Sequence, residues 1–271
     1  MYFFLHNHQV GQPRATQMGW LTPQQTARGA TICLLLAMIL GLHLSRLNVL
    51  DDTGVRRIET WDGIMLFITF SSMFNAVAYT GGPYPLGYIG LAHISIGYAG
   101  LGDLFVFLYF GLVATMTVPY LYLHSFISSS SSSIDLILHH PLMHRSFHLA
   151  LPIGFLATAI IVVNNLRDRK TDVVAKKMTL AVRLGESFAR NEYIFLLGSS
   201  YLLLLPLAIV HSFSWIIVLL PFLTLPLAIP QLKAVGFGGK DGKALNEHVG
   251  GTARVQLFFC ITLALAIRNG Y

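Results

Sequence analysis

Apolar residues occur in long runs separated by short polar segments. Seven of these runs approach the ~20 residues that an α-helix needs to cross a bilayer, and they cover residues 26–45, 61–80, 103–124, 147–166, 189–210, 213–231 and 252–268. An unpaired backbone is costly in lipid, and the runs lack the strict alternation of a membrane barrel, so all seven are predicted to be helices. The pattern therefore predicts an all-α integral membrane bundle in which residues 1–271 form a single domain.

The start of the first predicted helix carries a local signal. Thr22 precedes Pro23 just before the first apolar run. Threonine commonly caps a helix N-terminus, and proline is favoured at the first helical position, where its missing N–H removes no hydrogen bond. The pair predicts a capped helix start at Thr22.

Composition supports the membrane class and narrows the partners. Of all residues, 54% are hydrophobic and 11% are charged, which is too apolar for a water-soluble domain. The net charge is +6, but most basic residues lie in loops on one predicted side, as the positive-inside rule describes. We therefore expect the lipid bilayer as a partner, no nucleic acid, and the basic face on the cytosolic or equivalent organellar side.

The most polar stretch follows an apolar run and combines carboxylates with cations. Asp168 and Asp172 are four residues apart, so on a helix they project from one face with Cβ atoms ~6 Å apart. Two carboxylates at that distance can hold Mg²⁺, which takes its other ligands from water and phosphates. Lys177 and Arg183, with Arg167 and Lys170, can neutralise the charge of a diphosphate leaving group. The stretch thus predicts a metal and polyphosphate site.

The alternative for this stretch is a solvated charged loop that only sets membrane topology. Asn164 and Asn165 extend the polar character into the end of an apolar run. Unpaired amides are costly there, and this favours a functional site.

Three further segments on the same predicted face are candidates. Residues 79–85 are rich in glycine and proline, which allow a backbone to approach a ligand closely. Asp103 opens an apolar run and fits either a helix cap or a functional carboxylate. Arg254 begins the last run, where extension of its side chain to the membrane interface is the simplest interpretation.

Residues 125–146 are predicted to be an inserted, flexible loop, because they contain the serine run 128–133 and several histidines. His140, His144 and His148 have the helical spacing of a metal site. Pro141 lies among them, and no carboxylate joins them, so a plain interfacial loop is the preferred interpretation.

Taken together, the polar stretches make the chain recognisable. They are VGQPRATQMGWLTPQQ at 10–25, AYTGGPYPLGYIGL at 78–91 with GLGDLFVF at 100–107, NNLRDRKTD and KKMTLAVRLG within 164–185, and LNEHVGGTARVQL at 245–257. With them the chain resembles the UbiA-type membrane prenyltransferases. Within that family it is similar to the 1,4-dihydroxy-2-naphthoate polyprenyl- or phytyltransferases of menaquinone and phylloquinone synthesis.

The resemblance implies a Mg²⁺-dependent aromatic prenyltransferase with a nine-helix bundle, of which the seven runs match helices three to nine. It implies a prenyl diphosphate and dihydroxynaphthoate as substrates. Asp168 and Asp172 match the second of two aspartate-rich motifs and are the expected metal ligands; Lys177 and Arg183 match its basic companions. With Asp103 as a further catalytic candidate, the residues expected to bind substrate are Asn164, Asn165, Arg167, Arg14, Tyr79 and Arg254.

The N-terminus departs from the family pattern. The first aspartate motif, Asn-Asp-x-x-Asp, is expected just before Val10, but residues 1–9 contain no acid. The sequence therefore predicts an N-terminally incomplete or divergent form that lacks the first two helices. No secretory signal or transit leader is evident, and we expect a plastid (chloroplast or thylakoid) membrane or a bacterial plasma membrane.

Three other functions stay open on the residues. The first is prenyl transfer to another aromatic acceptor, homogentisate or 4-hydroxybenzoate. The second is an inactive membrane scaffold, which the missing acids motivate. The third is a transporter, which the gathering of polar motifs on one face disfavours.

Overall fold

The computed structural model describes residues 10–11, 15–16, 18–50, 56–80, 100–127, 133–175, 177–206 and 215–270, and these are predominantly helical. The α-helices, numbered in chain order, are α1 (Pro23–Leu44), α2 (Gly63–Thr80), α3 (Gly102–Val106), α4 (Ala114–Ile127), α5 (Ser133–Leu138), α6 (Pro141–Val174), α7 (Leu180–Arg183), α8 (Glu186–Leu202), α9 (Trp215–Phe222), α10 (Leu225–Gln231) and α11 (Asn246–Gly270). A π-helical segment, Phe107–Val113, joins α3 to α4; a second, Leu232–Phe237, continues α10; and a 3-10 turn, Gly242–Leu245, leads into α11. The all-α prediction is confirmed, with one small hairpin as an addition.

Four or five of the seven predicted runs correspond to helices in the described residues that can cross a membrane. Within the described ranges, four helices are long and apolar enough to cross a bilayer, and the α9–α10 pair, bent by 49°, makes a fifth if it is one span; the four are Pro23–Leu44, Gly102–Ser125, Pro141–Val174 and Gly242–Arg268. Helix α2 is apolar over Gly63–Val77 but shorter. Helix α8 has 17 residues, and residues 207–210 of the run 189–210 lie outside the described residues, so this predicted span stays a prediction.

The predicted cap at Thr22 is confirmed. Helix α1 begins at Pro23, and Thr22 Oγ1 accepts a hydrogen bond from the Gln25 backbone N–H at 3.2 Å. Gln25 Oε1 in turn accepts the Thr22 N–H at 2.8 Å. These reciprocal bonds form a capping box, which satisfies two backbone donors that a helix start leaves unpaired.

A β-hairpin stands where the pattern of runs predicts a loop. Strand β1 (Arg46–Leu50) pairs antiparallel with β2 (Arg56–Trp61), with a register shift between Val49 and Leu50. Short strands on both sides of a polar, glycine-containing connection are the usual composition of a hairpin. Backbone pairing between the two segments therefore satisfies polar groups that a loop would leave to solvent.

The loop predicted for 125–146 is also corrected. Helix α4 continues to Ile127, α5 covers Ser133–Leu138, and α6 begins at Pro141. Pro141 does not interrupt a helix here because it occupies the first helical turn, where proline is tolerated. Residues 128–132 of the serine run lie outside the described residues.

The chain divides into two compact units. The first comprises Met1–Gln12, Ile96–Thr115 and Arg145–Tyr271. The second comprises Pro13–Ser95 and Met116–His144. All candidate site residues except Arg14 and Tyr79 belong to the first unit. The single-domain assignment of 1–271 stays a prediction.

Each unit has its own core. In the first, buried side chains of α6, α8, α9 and α11 pack around Tyr193 and Phe259, both fully buried. In the second, a smaller cluster surrounds Met65 and Ile137. Close to it, the buried Tyr120 hydroxyl donates to Asp62 Oδ2 at 2.8 Å.

A glycine contact in the first unit sets the arrangement of the site. A Cβ atom on Gly111, in the first π-helical segment, would lie 2.5 Å from the Cα of Gly154 in α6. Only glycine at both positions allows so close an approach. Asp103 also contacts Asn165. Between the two contacts the residue number falls from 111 to 103 in one segment and rises from 154 to 165 in the other, so the two segments are antiparallel. This packing brings the start of α3 beside the polar end of α6.

Candidate active site

The predicted metal ligands lie on the polar end of one continuous helix. Helix α6 runs to Val174, so Asp168 and Asp172 are one turn apart on it, as predicted. Asp172 is buried and Asp168 is about one-fifth exposed. The two carboxylates repel each other electrostatically. A cation between them, or close to both, would relieve that repulsion.

A third carboxylate reaches this helix from α3. Asp103 Oδ1 accepts a hydrogen bond from Asn165 Nδ2 at 3.1 Å, and both side chains are buried. Helix α3 has no side-chain cap bond at its N-cap, Leu101. Asp103 is therefore not the N-cap residue of α3 but lies in its first turn as a buried hydrogen-bond partner of α6; a functional role for its carboxylate stays a prediction.

Lys177 lies close to two of the carboxylates. Its Nζ is 3.3 Å from Asp172 Oδ2, and its charge also attracts the Asp103 carboxylate. The lysine side chain is about one-quarter exposed. It therefore balances part of the negative charge of the site and still faces solvent.

Arg183 reaches the same region through a loop that packs on a glycine. Its Nε donates to the Met178 carbonyl oxygen at 3.0 Å, and its side chain is otherwise exposed. A Cβ atom on Gly100 would lie 2.6 Å from that carbonyl oxygen and 3.3 Å from Arg183 Nε. Gly100 also has φ +79°, which disfavours any other residue. The glycine before α3 thus allows the basic loop to lie against it.

Arg167 is held inside the protein instead of facing solvent. Its Nε and Nη2 donate to the two oxygens of Asp168 at 2.8 and 2.6 Å. Nη2 also donates to Asn164 Oδ1 at 2.7 Å, and Nη1 donates to Asn246 Oδ1 at 3.2 Å. Arg167, expected to bind substrate, is a partner of a predicted metal ligand in this structure.

Arg254, another predicted substrate residue, is not brought to this cluster. Arg254 is exposed on α11, and among the described residues no hydrogen bond or ion pair joins it to the aspartates. An arginine that extends to the membrane interface has this exposure. Arg14 lies outside the described residues, as does the side chain of Tyr79.

Glu192 is a site residue that the pattern of runs did not single out. It lies on α8, partly buried, and its carboxylate repels that of Asp103. A glutamate within a predicted apolar run was the available signal, because a charged side chain at membrane depth is costly unless it has a role.

Two carboxylates suit Mg²⁺ better than a transition metal. Among the described residues, no three His, Cys, Asp or Glu side chains gather as a metal-binding group, and this includes the histidines at 140, 144 and 148. A cage made only of protein ligands is therefore absent from this part of the chain. Mg²⁺ needs no such cage, because it commonly binds one or two carboxylates and completes its shell with water and substrate phosphates. The donor set of Asp168 and Asp172 fits that chemistry.

Known proteins share these stretches. The 1,4-dihydroxy-2-naphthoate octaprenyltransferase of Escherichia coli (strain K12) is 32% identical over 232 residues, which are 83% of this chain and 62% of that protein. The protein of the same name from Mycobacterium leprae (strain TN) is 27% identical over 261 residues, 96% of this chain and 74% of its own. The UbiA prenyltransferase domain-containing protein 1 of Danio rerio is 30% identical over 166 residues, 61% of this chain and 40% of that protein. The chain is thus similar to 1,4-dihydroxy-2-naphthoate octaprenyltransferases along most of its length and to a UbiA prenyltransferase domain-containing protein along part of it.

Comparisons with protein-family models and with solved structures assign the chain to no family. No protein-family model matches the chain, and no solved structure matches it. The chain spans between about three-fifths and three-quarters of the two octaprenyltransferases. Its four or five long apolar helices among the described residues indicate a multi-pass membrane protein.

Proposed function

We propose that this chain transfers a prenyl group from its diphosphate to 1,4-dihydroxy-2-naphthoate, with loss of the ring carboxyl, in menaquinone synthesis. The observation that carries the proposal is the cluster of Asp103, Asp168, Asp172 and Lys177 at one end of α3 and α6. It lies in a chain that is similar almost throughout to enzymes named for this acceptor.

Mg²⁺ is part of the proposal, with Asp168 and Asp172 as the residues that would hold it. When bound, the ion supplies positive charge that stabilises the leaving diphosphate. Lys177 and Arg183 add to that charge from the exposed side of the cluster. In this proposal the two carboxylates bind the metal, and the exposed parts of the lysine and arginine side chains bind the phosphates.

The chemistry needs little more from the protein than position and charge. The bond between the prenyl C1 and the diphosphate oxygen breaks, and its electron pair leaves with the diphosphate. The electron-rich naphthoate ring attacks C1, and the ring carboxyl leaves as carbon dioxide. Cations placed where negative charge develops on the leaving group accelerate such a step.

Transfer can be measured on the full chain in lipid vesicles with carboxyl-labelled dihydroxynaphthoate and octaprenyl diphosphate. We expect labelled carbon dioxide and a prenylated naphthoquinol in equal amounts, both dependent on Mg²⁺. Absence of both, while the Escherichia coli enzyme is active in the same vesicles, would overturn the proposal. Competition between octaprenyl and phytyl diphosphate tests the alternative donor, which would connect the chain to phylloquinone synthesis and a plastid membrane.

Two variants test the site itself. Asp168→Asn and Asp172→Asn keep the side-chain size but remove the charge, and we expect each to lower turnover at least a hundredfold. Asp135→Asn is the matched control, because that aspartate is 82% exposed on α5 in the second unit. Normal turnover in both site variants would show that the metal assignment is wrong.

A further inference from the structure

Asn246 connects the last helix to the candidate site. It is the first residue of α11, and its Oδ1 accepts a hydrogen bond from Arg167 Nη1 at 3.2 Å. Its Nδ2 donates to the backbone carbonyl oxygen of Val10 at 3.0 Å. Both ends of the amide are therefore used, and one side chain joins α11, α6 and the segment at Val10.

Arg167 has little freedom to turn elsewhere. It directs four of its five N–H donors at Asp168, Asn164 and Asn246. Its side chain is 10% exposed. On one side it is covered by Gly11, where a Cβ atom would lie only 2.9 Å from Nη2. A guanidinium that is held from several directions also fixes the orientation of the group to which it donates hydrogen bonds.

The group that it fixes is the Asp168 carboxylate. A two-pronged contact from Nε and Nη2 sets the plane of the carboxylate and uses one lone pair of each oxygen. The remaining lone pairs can still accept a metal. We infer that Asn246 is a positioning residue, which orients Asp168 for its ligand by holding Arg167. The inference rests on the proposed function, in which Asp168 binds Mg²⁺.

Metal binding without substrate tests this directly. Mn²⁺, a paramagnetic substitute for Mg²⁺, can be titrated against the purified full chain in detergent and followed by electron paramagnetic resonance. Asn246→Leu removes the acceptor, and Arg167→Lys removes the planar fork. Both variants leave the net charge of the site unchanged, so a change in affinity reports geometry. We expect each to weaken Mn²⁺ binding about tenfold, the lower end of the effect of outer-shell substitutions.

Two comparisons make the result decisive. Asn191→Leu, the same change at an exposed position of α8, should leave Mn²⁺ affinity as in the unaltered protein. The Asn246→Leu/Arg167→Lys double variant should bind Mn²⁺ no more weakly than either single variant, because both changes act through one contact. Additive losses, unchanged affinity in the single variants, or no Mn²⁺ binding by the unaltered protein would each overturn the inference.

The outcome is separable from that of the transfer assay. If Asn246→Leu does not fold, Asn246→Ala, a smaller change that also removes the acceptor for Arg167, takes its place. Mn²⁺ binding that follows the prediction in a protein without transfer activity would reject the proposed function and keep the positioning role. Transfer activity, together with Mn²⁺ affinity that is unchanged by Asn246→Leu, would keep the proposed function and reject the positioning role.

Discussion

Replacing Asp103 separates the charge of the site from its packing. In the structure its Oδ1 accepts the Asn165 amide N–H at 3.1 Å, and neither side chain has appreciable contact with solvent. Asp103→Ala leaves that amide without a partner. Asp103→Asn keeps an oxygen in the same place and removes only the charge. The pair of variants therefore tests whether the carboxylate has a chemical role.

The two variants should differ in stability but not in activity. A buried donor left unpaired costs about 1–3 kcal/mol, so Asp103→Ala should unfold at a lower temperature, while Asp103→Asn should lose less than about 1 kcal/mol. Both lose the attraction between Asp103 and Lys177. Because Lys177 then loses one of the carboxylates that attract it, we expect both variants to transfer the prenyl group about tenfold more slowly, an increase of about 1.4 kcal/mol in the activation free energy.

Both quantities can be measured on the same vesicle and detergent preparations. Thermal unfolding gives the stability, and prenyl transfer at saturating substrate gives the rate. Asp135→Asn serves again as the exposed control. An Asp103→Asn variant that is stable and fully active would refute the reasoning, because Asp103 would then be a packing residue whose charge the reaction does not use.

Three further outcomes are expected. Arg190→Met should destabilise the first unit by about 1–3 kcal/mol, measured by thermal unfolding, because the buried guanidinium donates to two backbone carbonyls of the 235–240 segment that methionine would leave unpaired. Loss of the ion pair with the partly exposed Glu186 should add little; an exposed arginine changed to methionine is the control. Gly154→Leu should prevent the close contact with Gly111 and abolish transfer, whereas an unchanged rate would show that the two helices can separate without harm. The hydrogen bond from Lys170 lowers the pKa of Asp241. Because the lysine is exposed, Asp241→Asn should lower the free energy of unfolding by less than about 1 kcal/mol at pH 7. The difference in stability between the variant and the unaltered protein should vanish as the pH falls through the lowered pKa, and a constant difference at every pH would contradict the assignment.

Local features of the fold are predictable from the sequence. Apolar runs place the helices because the bilayer fixes both their length and their composition. Thr22 and Pro23 predict the start of α1 because the cap uses only neighbouring residues. The four-residue spacing of Asp168 and Asp172 predicts that they share a face, since α6 is continuous there.

Long-range contacts in the site are not predictable in this way. Asp103 and Asn165 are 62 residues apart in sequence, and Arg167 and Asn246 are 79 apart. Each contact depends on how two helices pack, and that is set by small residues such as Gly111 whose role no local pattern reveals. Glu192 was not singled out from the sequence for a different reason. One carboxylate changes the average hydropathy of a long apolar run very little.

The same dependence on long-range contacts explains why the sequence could not assign separate roles to the arginines and lysines. In sequence, the arginines and lysines after residue 166 form one basic stretch. In the structure they divide by their partners: Arg167 and Arg190 have side chains about 10% exposed and are held by carboxylates and carbonyls. Lys177 and Arg183 keep exposed surface near the aspartates. Arg167 and Arg190 each direct four of their five N–H donors at protein acceptors, so a diphosphate finds more unused donors on Lys177 and Arg183. The leaving group should therefore depend on the lysine and arginine of the 177–183 loop, while the buried arginines determine where the carboxylates point.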